Sequence, residues 1–126
     1  MSIPSELHYT SSHEWVRVDG DTAVVGITHH AQESLGDVVF VDLPEVGDTF
    51  EQGQEVAEIE SVKAVSNIYA PVAGEVVEVN PAIDDAPETV NEDCYGAGWL
   101  LKIRMSDAGQ VGGLLDAAAY GAEIDD

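Results

Sequence analysis

The chain has 126 residues, 44% of them hydrophobic, which suffices for one domain with a modest core, spanning residues 1–126. It sets 25 Asp+Glu against 4 Lys+Arg, a formal net charge of -21 that works against binding nucleic acid or an anionic membrane, because like charges repel. The single cysteine, Cys94, excludes an intrachain disulfide, and no apolar run approaches membrane-spanning length.

In chain order, residues 14–19 alternate, with Trp15 and Arg17 opposite Val16 and Val18, and residues 22–27 follow as a second strand. Asp19-Gly20-Asp21 turns between them. Thr28 caps a short helix over 29–35 that carries Ala31 and Leu35 on one face and stops at Gly36. A strand rich in Val and Phe covers 37–43, and Pro44, Gly47 and Asp48 make the next turn. Strands over 49–51 and 55–60 flank Gln52-Gly53-Gln54, and strands over 64–69 and 72–79 follow. Residues 80–88, with two prolines, read as loop. Residues 99–105 read as a strand with Trp99, Leu101, Ile103 and Met105 on one face and Leu100, Lys102 and Arg104 on the other. A terminal helix is expected over 110–120, weakened at its start by Gly112-Gly113. A faint repeat relates Val46-Gly47-Asp48 and Val56-Ala57-Glu58-Ile59 to Ala73-Gly74-Glu75-Val76-Val77-Glu78-Val79. Many short strands of this kind predict an all-β sandwich or flattened barrel with small helices.

The stretch Glu60-Ser61-Val62-Lys63-Ala64-Val65-Ser66 stands apart. It joins two short strands, so Lys63 falls at or near a hairpin turn, in a chain with only one other lysine, Lys102. A turn lysine is ordinarily a solvated residue. As a Schiff-base nucleophile it would need a desolvated or cationic setting, and neighbouring Glu60 favours the ammonium instead. As a modified residue it has reach and an amine that accepts a carboxylic acid as an amide. His29-His30 reads as a solvated helix start, since adjacent histidines diverge on a helix and no partner set has ligand spacing. Cys94 has no evident base beside it and reads as a packing residue.

Several blocks recur together in one family. They include Gly26-Ile27-Thr28, Leu35-Gly36-Asp37-Val38-Val39-Phe40-Val41-Asp42-Leu43-Pro44, the Lys63 stretch, Ala70-Pro71-Val72, Asn80, Asn91 and Tyr95-Gly96-Ala97-Gly98-Trp99-Leu100. On these, roughly residues 7–120 resemble the H proteins of the glycine cleavage system. The resemblance implies a lipoyl/biotinyl-carrier-type sandwich (a barrel-sandwich hybrid) of two antiparallel sheets, with the lysine on a hairpin tip and a C-terminal helix. It implies lipoate as an amide on Lys63, set among Glu60, Ser61, Val62 and Ala64 and attached by a lipoate ligase or a lipoyl/octanoyl transferase. Glu60 can be read by that enzyme, and the small Ser61, Ala64 and Ser66 let active-site walls of other enzymes approach; equally, each is ordinary turn and strand chemistry. The implied role is a carrier, not an enzyme. It would take an aminomethyl group from the P protein, a glycine decarboxylase, to the tetrahydrofolate-dependent T protein. The flavin-containing L protein, a dihydrolipoamide dehydrogenase, would then reoxidise it.

Ser12-His13-Glu14-Trp15 also matches, and the resemblance makes Ser12 and Glu14 candidates for sheltering the loaded arm. Equally, they are the polar rim of a core Trp15. Asn67 stands where many relatives have aspartate, which removes a charge from that shelter. Other classes stay open: a lipoate relay to other acceptors, or a lipoyl or biotin carrier of another system. Val62 and Ala64 replace the methionines usual beside a biotinylated lysine, and no Pro/Ala-rich linker to a catalytic domain follows.

The segment Met1 to Glu6 lacks the features of a signal or transit peptide, so a prokaryotic cytoplasm is expected. The regular valines and turns argue against an acidic disordered chain. The charge then fits a high-salt interior, where about 1 M salt screens repulsion beyond a few Å. This lysine-poor, acidic composition is similar to that of haloarchaeal proteins.

Overall fold

A computed structural model describes residues 5–124. Among them lie two antiparallel sheets, one of six strands and one of three. The elements in order are β1 (His8–Tyr9), β2 (Glu14–Asp19), β3 (Thr22–Ile27), α1 (His29–Leu35), β4 (Val38–Asp42), β5 (Thr49–Phe50), β6 (Glu55–Ser61), β7 (Val65–Tyr69), β8 (Gly74–Val79), α2 (Pro81–Asp85), α3 (Thr89–Glu92), β9 (Leu101–Met105), a 3-10 helix (Ala108–Gly113) and α4 (Ala117–Ile124). The larger sheet runs β1-β2-β3-β9-β8-β5 and the smaller β4-β6-β7. This is the sandwich expected, with small helices at its margins.

Strand alternation builds the main core. Val16, Ala23, Val25, Leu101 and Ile103 of the larger sheet are buried with Val41, Ile59 and Ile68 of the smaller. The larger sheet's other face is covered too. Tyr9, Trp15 and Val24 pack there with Leu7 and with Tyr120 of α4. Trp15 pairs in register with Gly26, and a Cβ on Gly26 would lie 2.6 Å from the indole. A residue larger than glycine therefore has no room there. The indole N–H donates to the Cys94 carbonyl at 2.8 Å. Cys94 is buried, its thiol pushed up to about 11 by burial, as a packing residue should be.

Three expectations need correction. Residues 80–88 are not loop throughout. Asn80 accepts from the Ala82 N–H with its side chain, and Pro81 opens α2 where its missing N–H costs nothing. Leu100 does not share the exposed face of Lys102 and Arg104. It precedes β9, donates its N–H to Val25 at 2.8 Å, and is fully buried beside Leu101. The terminal helix is divided. The 3-10 turn ends at Gly113, and Leu115 exchanges backbone bonds of 2.8 Å with Tyr9 before α4 begins. A hydrogen bond to a strand competes with helix at that point and wins. Met1 to Pro4, part of the segment read for targeting signals, lie outside the described residues.

Candidate functional site

Antiparallel strands β6 and β7 pair from Glu55↔Tyr69 to Glu60↔Val65, and their connection carries Lys63. The turn is closed by its own polar groups. The Ser61 N–H donates to the Ala64 carbonyl at 2.8 Å, and the Ser61 Oγ accepts from the Lys63 and Ala64 N–H groups at 3.3 and 3.1 Å. Ser61 thus shapes the turn, as local hydroxyl-to-backbone bonds do. Around it Val62, Lys63, Ala64 and Val65 are exposed, with Val62 at 69%. Glu60 is half-buried and lies in register between Phe40 and Val65.

The hairpin is braced from below. Its Val62 N–H donates to the Asp37 carbonyl at 3.0 Å. Asn91 of α3 accepts from the Val38 N–H at 2.8 Å and donates to the Gly36 carbonyl at 2.8 Å and to Gln32 at 3.0 Å. One side chain therefore ties the end of α1 to the start of β4. Gly36 has φ 78, and a Cβ on it would stand 3.3 Å from Lys63 Cε. Both the backbone and the passing lysine stem favour glycine there.

The other cations are engaged. Arg104 meets Glu75 at 2.7 Å and Lys102 meets Glu78 at 3.3 Å while lying over the Trp99 ring, and Arg17 lies over Trp15. Among the described residues Lys63 has no carboxylate within ion-pair distance. In a chain of charge -21, that makes it the cation left free for chemistry.

Two cavities flank β7. One, of about 240 Å³, lies between α1 and β7; its polar wall is Ser12, His13, His30, Ser34 and Ser66, above Leu35 and Ile68. The other, of about 280 Å³, is bordered by Ser12, Glu14, Gln52 and Tyr69. Ser12 is exposed and borders both. Asn67 borders neither: Ser66 and Ile68 present β7 to the first cavity, and on Asn67's own face it is Tyr69 that borders the second.

Glu14 is not an exposed rim residue. It is 1% exposed, bonded to the Thr10 hydroxyl, and it accepts from the Tyr69 N–H at 3.2 Å. Burial pushes its carboxyl up, and these bonds hold it partly back. His29 and His30 are half-buried rather than simply solvated. His29 meets Glu33 at 3.2 Å, while the His30 ring lies 4.8 Å from that of His13. His13 was missed by sequence reasoning. It stands at φ 73, and its Nδ1 lies 2.8 Å from the Tyr120 hydroxyl, 107 residues along the chain.

The glycine cleavage H-protein family model matches residues 7–126. The chain belongs to the glycine cleavage H-protein family. It is 59% identical to the glycine cleavage system H protein of Pseudoalteromonas translucida, covering 99% of this chain and 98% of that one. It is 58% identical to that of Myxococcus xanthus over 96% and 94%. Its structure matches the crystal structure of an H protein from Mycobacterium marinum with a TM-score of 0.90 at 45% identity, covering 98% and 100%. As an H protein the chain is a lipoate-bearing carrier in glycine cleavage, working with the P, T and L proteins and not itself a catalyst. These relatives are bacterial and give no support to the haloarchaeal source that composition brought to mind. Among the described residues no helix is long and apolar enough to cross a membrane.

Proposed function

We propose that Lys63 is the residue of this H protein that carries lipoate, and that the chain acts as a single carrier domain over residues 1–126 in the cytoplasm. The observation that carries the assignment is a lysine exposed at a hairpin apex with no carboxylate partner among the described residues, while Lys102 is held by Glu78 and Trp99. When bound, lipoate supplies a disulfide that opens and recloses. The chain's residues do the rest. Ser61 fixes the turn so that the lysine points outward, Gly36 leaves room for its stem, and Asn91 holds the base rigid. Glu60, Val62 and Ala64 form the surface that a lipoate ligase or a lipoyl/octanoyl transferase reads. Between visits to its partners the arm rests in the cavity between α1 and β7, with Ser12 at its mouth. Glu14 supports that shelter by holding β7 at Tyr69, whereas Asn67, which borders neither cavity, gives it no side-chain contact.

Peptide mapping of the natively expressed protein tests the assignment. Lipoate is expected on the peptide containing Lys63; lipoate on Lys102, or biotin in its place, overturns it. The charge carries a second proposal, adaptation to a high-salt interior. Self-repulsion at -21 is large in dilute buffer and screened at high ionic strength. The melting midpoint should therefore rise from dilute buffer to molar KCl, and a flat or falling midpoint would contradict it.

A further inference from the structure

Four elements meet at Tyr120. Its ring stacks on Tyr9 of β1 at 4.8 Å with an interplanar angle of 11°, and it is fully buried. Its hydroxyl lies 2.7 Å from the Thr28 hydroxyl, at the cap of α1, and 2.8 Å from His13 Nδ1, in the turn before β2. The Thr28 Oγ also accepts from the Ala31 N–H at 3.2 Å. The direction of this chain of bonds follows from counting protons.

If His13 Nδ1 carried the proton, it would donate to Tyr120 and Tyr120 would donate to Thr28. The Thr28 hydroxyl proton would then have no acceptor in a fully buried position. Leaving such a donor unmade costs about 1–3 kcal/mol. In the opposite direction Thr28 donates to Tyr120, Tyr120 donates to His13 Nδ1, and every proton is placed. The remaining proton of His13 is then on Nε2. His13 is also a wall of the cavity between α1 and β7.

We propose that Tyr120 is a positioning residue that fixes His13 as the Nε2–H tautomer, through a relay running from Thr28 to Tyr120 to His13. The C-terminal helix thereby sets the hydrogen-bonding character of the cavity. His13 enters it as an N–H donor and recognises an acceptor atom, such as the lone pair of an uncharged amine, rather than an ammonium group. The ring is faced by His30 from α1 and by Tyr120 and Glu123 from α4. Burial first and His30 second hold its pKa below the usual value against a smaller raising effect of Glu123, consistent with a neutral ring. Protonating it would force Nδ1 to donate and reverse the relay, so the bonds and the burial act in the same direction.

That an arm on Lys63 enters this cavity rests on the function proposed above; the relay itself does not. The test is histidine-selective 15N NMR on the full unmodified chain, wild type and Tyr120→Phe. Wild type should show His13 protonated on Nε2 with Nδ1 a hydrogen-bonded acceptor. Tyr120→Phe keeps the stack on Tyr9, loses the donor to Nδ1, and should raise the His13 titration midpoint. A wild-type ring protonated on Nδ1 overturns the proposal whether or not the variant folds. So does a midpoint unmoved in a folded Tyr120→Phe. The same spectra on the lipoylated, aminomethyl-loaded chain address the arm separately. His13 signals that shift on loading support its entry into the cavity. Unmoved signals beside an intact wild-type tautomer overturn the donor's part in holding the arm and the sheltering reading with it.

Discussion

Two turns, one carrying Lys63 and one bordering the cavity between α1 and β7, are built to opposite ends. The Ser61–Ala64 turn holds its backbone with one serine and leaves Val62, Lys63 and Ala64 exposed. The turn from Thr10 to Glu14 faces inward. Thr10 Oγ accepts from the Ser12 and Glu14 N–H groups at 3.2 Å, the Glu14 carboxylate is buried, and His13 reaches Tyr120. Lys63 is thus presented on a structure with almost nothing to disturb, and the polar order is concentrated in the 10–14 turn. Modifying Lys63 displaces no ion pair and opens no core. Changing the 10–14 turn alters several bonds at once.

The largest expected effect sits on the exposed turn and leaves the fold alone. Lys63→Arg keeps the charge but cannot form the lipoyl amide. Lipoylation and support of glycine decarboxylation should be abolished, while stability stays within about 0.5 kcal/mol, as for surface substitutions generally. Intact mass and a denaturant melt check both halves. A lipoylated variant would break the contrast from one side, and an unstable one from the other.

Beneath the 10–14 turn the expectation is reversed. Gly26→Ala puts a Cβ 2.6 Å from the Trp15 indole, which is pinned by its bond to the Cys94 carbonyl. The indole must shift or the strands must part, at a cost of about 1–3 kcal/mol for overpacking. Lys63 should still be lipoylated in whatever fraction remains folded. An unchanged denaturant midpoint would show that the second core is looser than its burial implies.

The hairpin was legible in the sequence because its signals are local. Alternation in 55–60 and 64–69, the breaker Pro71 and the isolated lysine all lie within one stretch, and the strands appear as β6 and β7. Thr28 and Gly36 declared α1 in the same way. In the 10–14 turn the resemblance pointed to Ser12 and Glu14, but the burial of Glu14 and the part of His13 were illegible because their partners are distant. Glu14 answers to Tyr69, 55 residues away, and His13 to Tyr120. No periodicity in residues 10–14 announces that Glu14 is buried, since a carboxylate beside a core tryptophan reads as its rim. α2 could have been found. Asn80-Pro81 is a cap followed by a proline at the first helical position, but the two prolines in 80–88 drew the reading toward loop.

The smallest expected effect concerns Glu14, where the buried charge works against the bonds it makes. Burial raises its folded pKa above the ordinary 4.5. A raised carboxyl contributes stability that is full below pH 4.5 and lost as pH rises through the folded value. Ionised Glu14 is therefore a cost at neutral pH. Glu14→Gln removes that cost and can still accept from the Tyr69 N–H, yet its amide must donate toward a Thr10 oxygen that already receives two N–H groups. At pH 7 the two effects oppose each other, and the net change should stay within about 1 kcal/mol. The sharper signal is the pH dependence. His13, with its pKa lowered from 6.5, contributes stability that is present above 6.5 and lost as pH falls through the folded value. It does so equally in both proteins. Subtracting the melts of wild type from those of Glu14→Gln between pH 4 and 8 cancels His13 and leaves Glu14. The difference should be least favourable to the variant near pH 4 and grow in its favour as pH rises. A difference curve flat over that range would show that Glu14 is as well solvated by its hydrogen bonds as by water, and that the 10–14 turn holds its charge without penalty.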